Sequence, residues 1–450
     1  MTDRNLPLLA LVFAWVALLP ATASARDRLA GHGGPVMAVT VSADGTAALS
    51  ASFDYSVGVW DLAGGPPRWL EGHRAAVNAV AFHPDGQSAL SAGDDFALIL
   101  WDLGTGILRH RFEGHRGKIM GVDISPGGRV AATAGWDGRI GLWDLVDLGH
   151  LGWLEGHQGP VNDVVFRADG TLLSASADGT VRLWDRASRA EIGRPVSNGF
   201  GVNRIVLGPG EAWLAYGAVD GTIRLLDQPS GLEIADLTPG RRPILALALS
   251  QDGERLAVGD GEGHILIADT GDWRVVRDFR AALRGPIWAL AWAGDRLIAG
   301  GIADEAAIWP VGTSEAALFA AKPRHFQRAP SEMGNGERQF VRKCAVCHTL
   351  GPDGARRAGP SLWGVFGRQA GTLPDYRYSD ALRGSAIVWD ATTIDRLFDE
   401  GPEQVTPGSK MPMQRIAKAQ DRADLIAYLK SKTGAETPSL PFVPTEEPPQ

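Results

Sequence analysis

A unit of 41 or 42 residues repeats seven times between residues 28 and 315, and it constrains the fold more than any other feature. Each unit carries a Trp-Asp pair or its decayed form: Trp60-Asp61, Trp101-Asp102, Trp143-Asp144, Trp184-Asp185, Leu226-Asp227, Ala268-Asp269 and Trp309-Pro310. In the first four units a Gly-His pair lies upstream and an aspartate stands six residues before the tryptophan. These residues are His32, His73, His115 and His157, with Asp54, Asp95, Asp137 and Asp178.

Apolar and polar residues alternate within a unit, as in residues 180–184, and Asp-Gly turns interrupt the runs. This pattern predicts short antiparallel strands. Four such strands form a sheet that cannot cover both of its own faces, so seven sheets packed radially bury what one leaves exposed. Residues 28–315 therefore resemble a WD-repeat β-propeller.

The resemblance implies that histidine, aspartate and tryptophan are joined by buried hydrogen bonds in each blade, which is a structural and not a catalytic role. Units five to seven depart from the pattern, and we expect their blades to be less rigidly networked. The departures are Ser197-Asn198 in place of Gly-His, Glu262 in place of the aspartate, and Leu226 and Ala268 in place of tryptophan. The last outer strand could come from residues 26–30 or from residues 315–319.

Both cysteines of the chain lie three positions apart, at Cys344 and Cys347, and His348 follows directly. This is the attachment pattern of haem c, in which two thiols form thioethers and the histidine binds the iron. A Cys-x-x-Cys pair can also be a zinc half-site, a redox pair or a disulfide. However, a structural zinc site needs four ligands, a redox pair is expected near a βαβ unit, and no alternative explains the histidine. We therefore expect one covalently attached haem c.

After a polar linker the pattern changes from strands to helices. Residues 334–341 predict a short helix that leads into the cysteines, and residues 422–430 predict an amphipathic helix. We expect the first helix to cross the second closely through Gly336 and Phe340. Residues 407–413 add two methionines on a loop, and a thioether is a common second ligand for haem iron. Residues 334–432 resemble class I cytochrome c of the mitochondrial and cytochrome c2 type.

This resemblance assigns roles by position. Met411 would be the second axial ligand, with Met413 as the alternative, and the Pro360 carbonyl would accept the N–H of the His348 ring. The positions that hold a haem propionate in the family are matched by Arg368, Tyr378 and Trp389, and Ser409 matches a threonine of the family's methionine loop. Leu397 or Phe398 takes the place of a common tyrosine and Leu382 that of a common asparagine, which predicts a drier distal pocket and an altered potential.

The first 25 residues contain Arg4, an apolar run over residues 6–19 and a small-residue cleavage signal at Ala23-Ser24-Ala25. This is typical of a secretory signal peptide cleaved after Ala25. The run is shorter than the roughly 20 residues needed to span a bilayer, so an uncleaved membrane anchor is the weaker alternative. We therefore expect a periplasmic protein with no membrane span in the mature chain.

The predicted fold class is multi-domain: an all-β seven-bladed WD-repeat propeller followed by an all-α class I cytochrome c domain. The expected boundaries are 1–25 for the signal peptide, 26–320 for the propeller, 321–331 for the linker, 332–434 for the cytochrome domain and 435–450 for a disordered tail.

Charge divides unevenly between the two predicted domains. Residues 26–315 hold 25 basic and 36 acidic side chains, a net of −11, whereas residues 332–436 hold 15 basic and 13 acidic, a net of +2. An acidic propeller argues against nucleic acid and anionic lipid as partners.

We favour a non-enzymatic protein that transfers single electrons to or from a redox partner protein, with the propeller as the protein-docking platform. Two alternatives stay open. The propeller could be a catalytic domain that binds a substrate or second cofactor and passes electrons to the haem. The chain could also be a haem-bearing assembly or sensor protein.

Overall fold

The structure is a computed structural model, and it describes residues 27–238, 243–282, 285–311, 333–345, 347–352, 359–374, 376, 378–407, 409, 411 and 415–434. The expected signal peptide, linker and tail lie outside these residues, as do Met413 and the alternative closing segment at 315–319. Within the described ranges, no helix has the length and apolar character needed to cross a membrane.

Seven antiparallel four-stranded sheets form the blades of a propeller, which confirms the predicted fold. A 3-10 turn at Pro209–Glu211 precedes the second strand of blade 5. Blade 1 consists of β2 Val36–Val41, β3 Ala47–Ser52, β4 Ser56–Asp61 and β5 Arg68–Glu71. Blade 2 consists of β6 Val77–Phe82, β7 Ser88–Gly93, β8 Leu98–Asp102 and β9 Leu108–Phe112. Blade 3 consists of β10 Ile119–Ile124, β11 Val130–Gly135, β12 Arg139–Asp144 and β13 Gly149–Glu155. Blade 4 consists of β14 Val161–Phe166, β15 Leu172–Ser176, β16 Thr180–Asp185 and β17 Ala190–Ser197. Blade 5 consists of β18 Val202–Leu207, β19 Trp213–Ala218, β20 Ile223–Asp227 and β21 Glu233–Asp236. Blade 6 consists of β22 Ile244–Leu249, β23 Arg255–Asp260, β24 His264–Asp269 and β25 Val275–Arg280. Blade 7 consists of β26 Ile287–Ala293, β27 Arg296–Gly301, β28 Glu305–Pro310 and β1 Arg28–Ala30.

The ring closes through its N-terminal segment, which settles the choice that the sequence left open. Strand β1 pairs antiparallel with β28, with Leu29 opposite Ala306. Leu29 is fully buried in an apolar cluster that includes residues of blades 1 and 7. The last blade thus combines the first strand of the ring with the last three.

A buried hydrogen-bond network links the repeat residues in blades 1 to 4. In blade 2, His73 Nδ1 lies 3.0 Å from Asp95 Oδ1, His73 Nε2 lies 2.7 Å from Ser91 Oγ, and Trp101 Nε1 donates to Ser91 Oγ at 2.7 Å. The expected histidine, aspartate and tryptophan are therefore present, but a hydroxyl joins the histidine to the tryptophan. In the other three blades this hydroxyl belongs to Ser50, Thr133 and Ser174.

In blade 5 the position of the network hydroxyl is taken by Tyr216, whose Oη donates to Asn198 Oδ1 at 3.3 Å. Its core is filled instead by apolar side chains from β19, β20 and the neighbouring blade. The departures in sequence therefore change how this blade is held together and not whether it forms.

The C-terminal region is helical, as predicted. Its helices are α1 Asn335–Lys343, α2 Asp380–Arg383, α3 Ala391–Glu400, α4 Pro402–Val405 and α5 Ala419–Lys432. A β-carbon at Gly336 would lie 2.1 Å from the Asp424 carbonyl oxygen, so only glycine allows α1 to approach α5 this closely. The rings of Phe340 and Tyr428 pack 5.7 Å apart at the same crossing. The crossing positions the residues that follow α1.

Candidate functional site

A crevice of about 1170 Å³, counting its open mouth, lies between the C-terminal helices and their connecting loops. Its wall is mainly apolar, with Leu362, Val365, Ile394, Leu397, Phe398 and Leu429 among its members. The lining also contains a few polar side chains. Every described residue that the sequence assigned to haem is among the lining residues.

The two cysteines lie on a tight turn that continues from the end of α1. Cys344 N donates to Phe340 O at 2.7 Å, and Cys347 N and His348 N donate to Cys344 O at 3.0 and 2.8 Å. This turn places both thiols and the imidazole on the wall of one crevice. The geometry follows from the sequence spacing, because residues three and four apart share a face of a helical turn.

Both cysteines are buried and neither forms a disulfide, and burial raises the pKa of the Cys344 thiol to about 12. Redox-active Cys-x-x-Cys pairs need a lowered thiol pKa, so this environment disfavours a dithiol catalyst. Among the described residues, no group of three or more His, Cys, Asp or Glu side chains is arranged to hold a metal ion.

His348 has one ring nitrogen fixed and the other available. Its Nδ1 lies 2.7 Å from the Pro360 carbonyl oxygen. Because a carbonyl can only accept, Nδ1 must carry the hydrogen. Burial lowers the pKa of His348, so the ring is neutral and Nε2 keeps its lone pair. A neutral imidazole held in this tautomer is a metal ligand.

Gly359 supports this arrangement, because a β-carbon there would lie 2.4 Å from His348 Cε1. The chain can therefore pass beside the imidazole only where it has no side chain.

Arg368 tethers the loop that follows Pro360. Its guanidinium donates to the carbonyl oxygens of Ser361 at 2.7 Å and Trp363 at 2.8 Å. Burial lowers the pKa of Arg368, and no described carboxylate lies within ion-pair distance of it. A partly buried cation on the crevice wall without a carboxylate favours an anionic group on the ligand.

Tyr378 and Trp389 also lie on the crevice wall. Tyr378 is buried and packs edge-on against Tyr376 at 4.8 Å, and Trp389 exchanges backbone hydrogen bonds with residues 367 and 368. Between them in sequence, the Ser379 hydroxyl is buried in the described structure without a hydrogen-bond partner. A buried hydroxyl without a partner on the wall of a crevice favours a ligand with a polar group.

Met411 also lines the crevice, and its side chain is partly buried against the apolar cluster. Leu397, Phe398 and Leu382 line the same crevice, so apolar groups occupy the positions where the sequence lacks the family's tyrosine and asparagine. Ser409 contacts the Thr406 hydroxyl at 3.1 Å. The crevice therefore brings a thioether and several apolar side chains together with the cysteines and His348.

The residues together fit a covalently bound haem. Two thiols, a neutral imidazole, a thioether and apolar side chains line one crevice, and Arg368 and Ser379 offer donors to carboxylates. Further crevice residues that the sequence did not indicate include Lys343, Tyr376, Ser379 and Tyr55, the last from blade 1 of the propeller. Ser379 is adjacent to Tyr378, so its neighbour was the one available signal, whereas nothing in the sequence links Tyr55 to this site.

Comparison with known proteins gives separate matches for the two regions. A model of the WD domain, G-beta repeat matches residues 24–61, 64–102, 106–144 and 149–185. A model of cytochrome c matches residues 334–433. The chain is thus similar to two different families along its length.

Curated relatives match the C-terminal region over nearly their whole length. "Cytochrome c" of Sesamum indicum is 44% identical over 108 residues, which is 24% of this chain and 96% of that protein. "Cytochrome c" of Gossypium barbadense is 46% identical over 110 residues, 24% of this chain and 97% of that protein. "Cytochrome c" of Theileria annulata is 43% identical over 111 residues, 24% of this chain and 95% of that protein.

Proposed function

Because the chain belongs to the cytochrome c family through residues 334–433, fused to a WD-repeat propeller, we propose that it is a periplasmic carrier of single electrons. One haem c would be bound through thioethers at Cys344 and Cys347, with His348 and Met411 as axial ligands. The propeller would be the platform on which a redox partner protein docks. Cytochrome c domains transfer electrons through haem, and WD-repeat propellers bind proteins.

The observation that carries the proposal is the state of His348. Its Nδ1–H donates to Pro360 O at 2.7 Å, so Nε2 is the ring nitrogen that can bind the iron. Bound haem would supply a one-electron iron couple. A histidine on one side and a thioether on the other would leave no open position for oxygen or substrate, which favours transfer over catalysis.

The remaining residues hold charge and exclude water. Arg368 and Ser379 would donate to the carboxylates of the haem, which removes the cost of burying these anions. Leu397, Phe398 and Leu382 keep the thioether side apolar. An apolar surrounding disfavours the more highly charged oxidised state, so we expect a reduction potential in the upper part of the range for such proteins.

The first experiment asks whether haem is attached. The full chain would be produced in a bacterium with a cytochrome c maturation system, and the peptide containing residues 344–348 would be weighed. We expect its mass to increase by one haem. A peptide of unmodified mass would contradict the proposal.

Paired substitutions would identify the axial methionine. Met411→Leu should abolish the far-red charge-transfer band of the oxidised protein, because that band arises from a thioether on ferric iron. Met413→Leu is the matched control and should keep the band. The opposite result would transfer the role to Met413.

The periplasmic location rests on the leader sequence and has its own test. Cell fractionation should recover the coloured protein in the periplasm, and its N-terminal residue should be Arg26. A protein recovered in the cytoplasm with residues 1–25 intact would contradict this location without affecting the haem site.

A further inference from the structure

One backbone position in the propeller differs between blades in a way that the fold does not require. In blades 1 to 6, the turn between the second and third strands contains a residue with left-handed φ. In blades 3 to 6 this residue is glycine, at Gly138, Gly179, Gly221 and Gly263, with φ of 80 to 90°. In blades 1 and 2 it is aromatic, since Tyr55 has φ of 71° and Phe96 has φ of 61°.

The turn itself is the same in all of these blades. Tyr55 N donates to Ser52 O at 3.2 Å, as Gly138 N donates to Gly135 O at 3.1 Å. Glycine adopts left-handed φ without strain, whereas a bulky L-residue does so at a cost. Tyr55 and Phe96 share this strained conformation, and the surroundings of their side chains differ.

The Tyr55 side chain lies at the haem crevice. It lines the crevice together with Lys343, Cys347 and Tyr376, all of which belong to the cytochrome domain. Burial, together with the nearby Cys347 and Tyr376, raises the pKa of the Tyr55 hydroxyl. Phe96, at the same turn of the next blade, is 42% exposed and does not line the crevice.

We propose that blade 1 of the propeller docks on the cytochrome domain and that Tyr55 completes the wall of the haem crevice beside Cys347. This inference rests on the haem site proposed above. The net charges of the two domains, −11 and +2, favour the contact, and Lys343 places a cation at the junction. The propeller then does more than tether a partner, because it controls how much of the haem edge meets solvent.

Two consequences follow from a shielded haem edge. Water near the iron stabilises the oxidised state, which carries more charge, so the Tyr55 ring should raise the reduction potential. The ring should also slow small reductants that approach by the Cys347 side.

The test compares two glycine substitutions in the full-length haem protein. Tyr55→Gly restores the residue found at this turn in blades 3 to 6, so it should not weaken the propeller. Phe96→Gly is the matched control, because it makes the same change one blade away from the crevice. Tyr55→Phe separates the ring from the hydroxyl.

We expect Tyr55→Gly to lower the midpoint potential, to move the haem-methyl proton resonances of the oxidised protein and to speed reduction by ascorbate. Phe96→Gly should leave all three at wild-type values, and Tyr55→Phe should lie near wild type because the ring provides the shielding. The inference would be overturned if Tyr55→Gly, Phe96→Gly and wild type had the same potentials, resonances and reduction rates. That result would still leave a protein with normal haem attachment and absorption, whereas failure of the proposed function would appear as absent haem in the wild type.

Discussion

At Gly359, the addition of one carbon atom should disturb the haem site directly. A β-carbon there would lie 2.4 Å from His348 Cε1, 2.7 Å from His348 Nδ1 and 2.8 Å from the Cys347 carbonyl oxygen. Gly359 N also donates to that carbonyl at 2.7 Å, so the backbone cannot withdraw without losing a hydrogen bond. Relief to an ordinary contact requires a movement of about 1 Å. Gly359→Ala should therefore push the imidazole away from Pro360.

The expected magnitude has two parts. Overpacking a fitted interior costs about 1–3 kcal/mol, and the lost bond between His348 and Pro360 costs about 1 kcal/mol. A domain of this size loses about 4–8 °C in melting temperature per kcal/mol, so the loss should be at least about 10 °C. A weaker bond at Nδ1 makes the imidazole a poorer electron donor, which disfavours ferric iron. If the whole free energy of the hydrogen bond between His348 and Pro360, about 1 kcal/mol, is lost from the ferric state alone, the reduction potential rises by about 40 mV.

The assay is thermal unfolding of the haem protein followed by its visible absorption, with a redox titration on the same samples. Gly351→Ala is the matched control, because a β-carbon at Gly351 meets nothing within 4 Å. It should stay within about 0.5 kcal/mol of wild type. Equal melting temperatures and potentials for the two variants would refute the argument that Gly359 positions the imidazole.

Two predictions concern the propeller. Leu29→Ala should destabilise it by about 2–4 kcal/mol in denaturant titration, because Leu29 is fully buried where the ring closes. Arg28→Ala is the control and should cost little, because the Arg28 side chain is exposed. Equal effects of the two substitutions would show that β1 does not close the ring. The hydrogen bond from His73 and the ion pair with Arg111 hold the pKa of Asp95 well below its usual range, although burial opposes them. The stability contributed by Asp95 is therefore present above about pH 4 and is lost as the pH falls below that value. Asp95→Asn should be less stable than wild type at pH 7 and approach it in more acidic solution, and a difference independent of pH would contradict this.

The repeat architecture could be predicted from the sequence because the same residue pattern recurs in successive blades. The hydroxyl of the blade network was missed, although a signal was present: Ser50, Ser91, Thr133 and Ser174 each stand ten residues before the tryptophan. Serine and threonine are common in strands, so only the shared register distinguishes them. Ring closure could not be predicted, because both candidate segments flank the repeats and the choice depends on which one reaches β28.

The cytochrome region shows a similar limit. Cys344, Cys347 and His348 could be predicted as haem-binding residues because covalent attachment of haem, where it occurs, requires this spacing. Ser379 could not be found by spacing, since its significance lies in having no partner once the crevice has formed. Tyr55 belongs to another domain, and in the sequence it looks like an ordinary exception to a glycine turn. Sites that two domains build together leave no local pattern.

The way the ring closes also bears on how such a chain can mature. Its closing strand begins at Arg28, two residues after the expected leader cleavage site, and it pairs with β28 almost 280 residues later. The contact of Leu29 with blade 7 therefore forms only when the last blade exists, which makes closure a long-range and slow step. The haem domain follows blade 7 in the chain, so Tyr55 of blade 1 can reach the crevice only after both units have been made. The first strands of the chain thus take part in both contacts, because β1 closes the ring within blade 7 and Tyr55 of blade 1 lines the haem crevice.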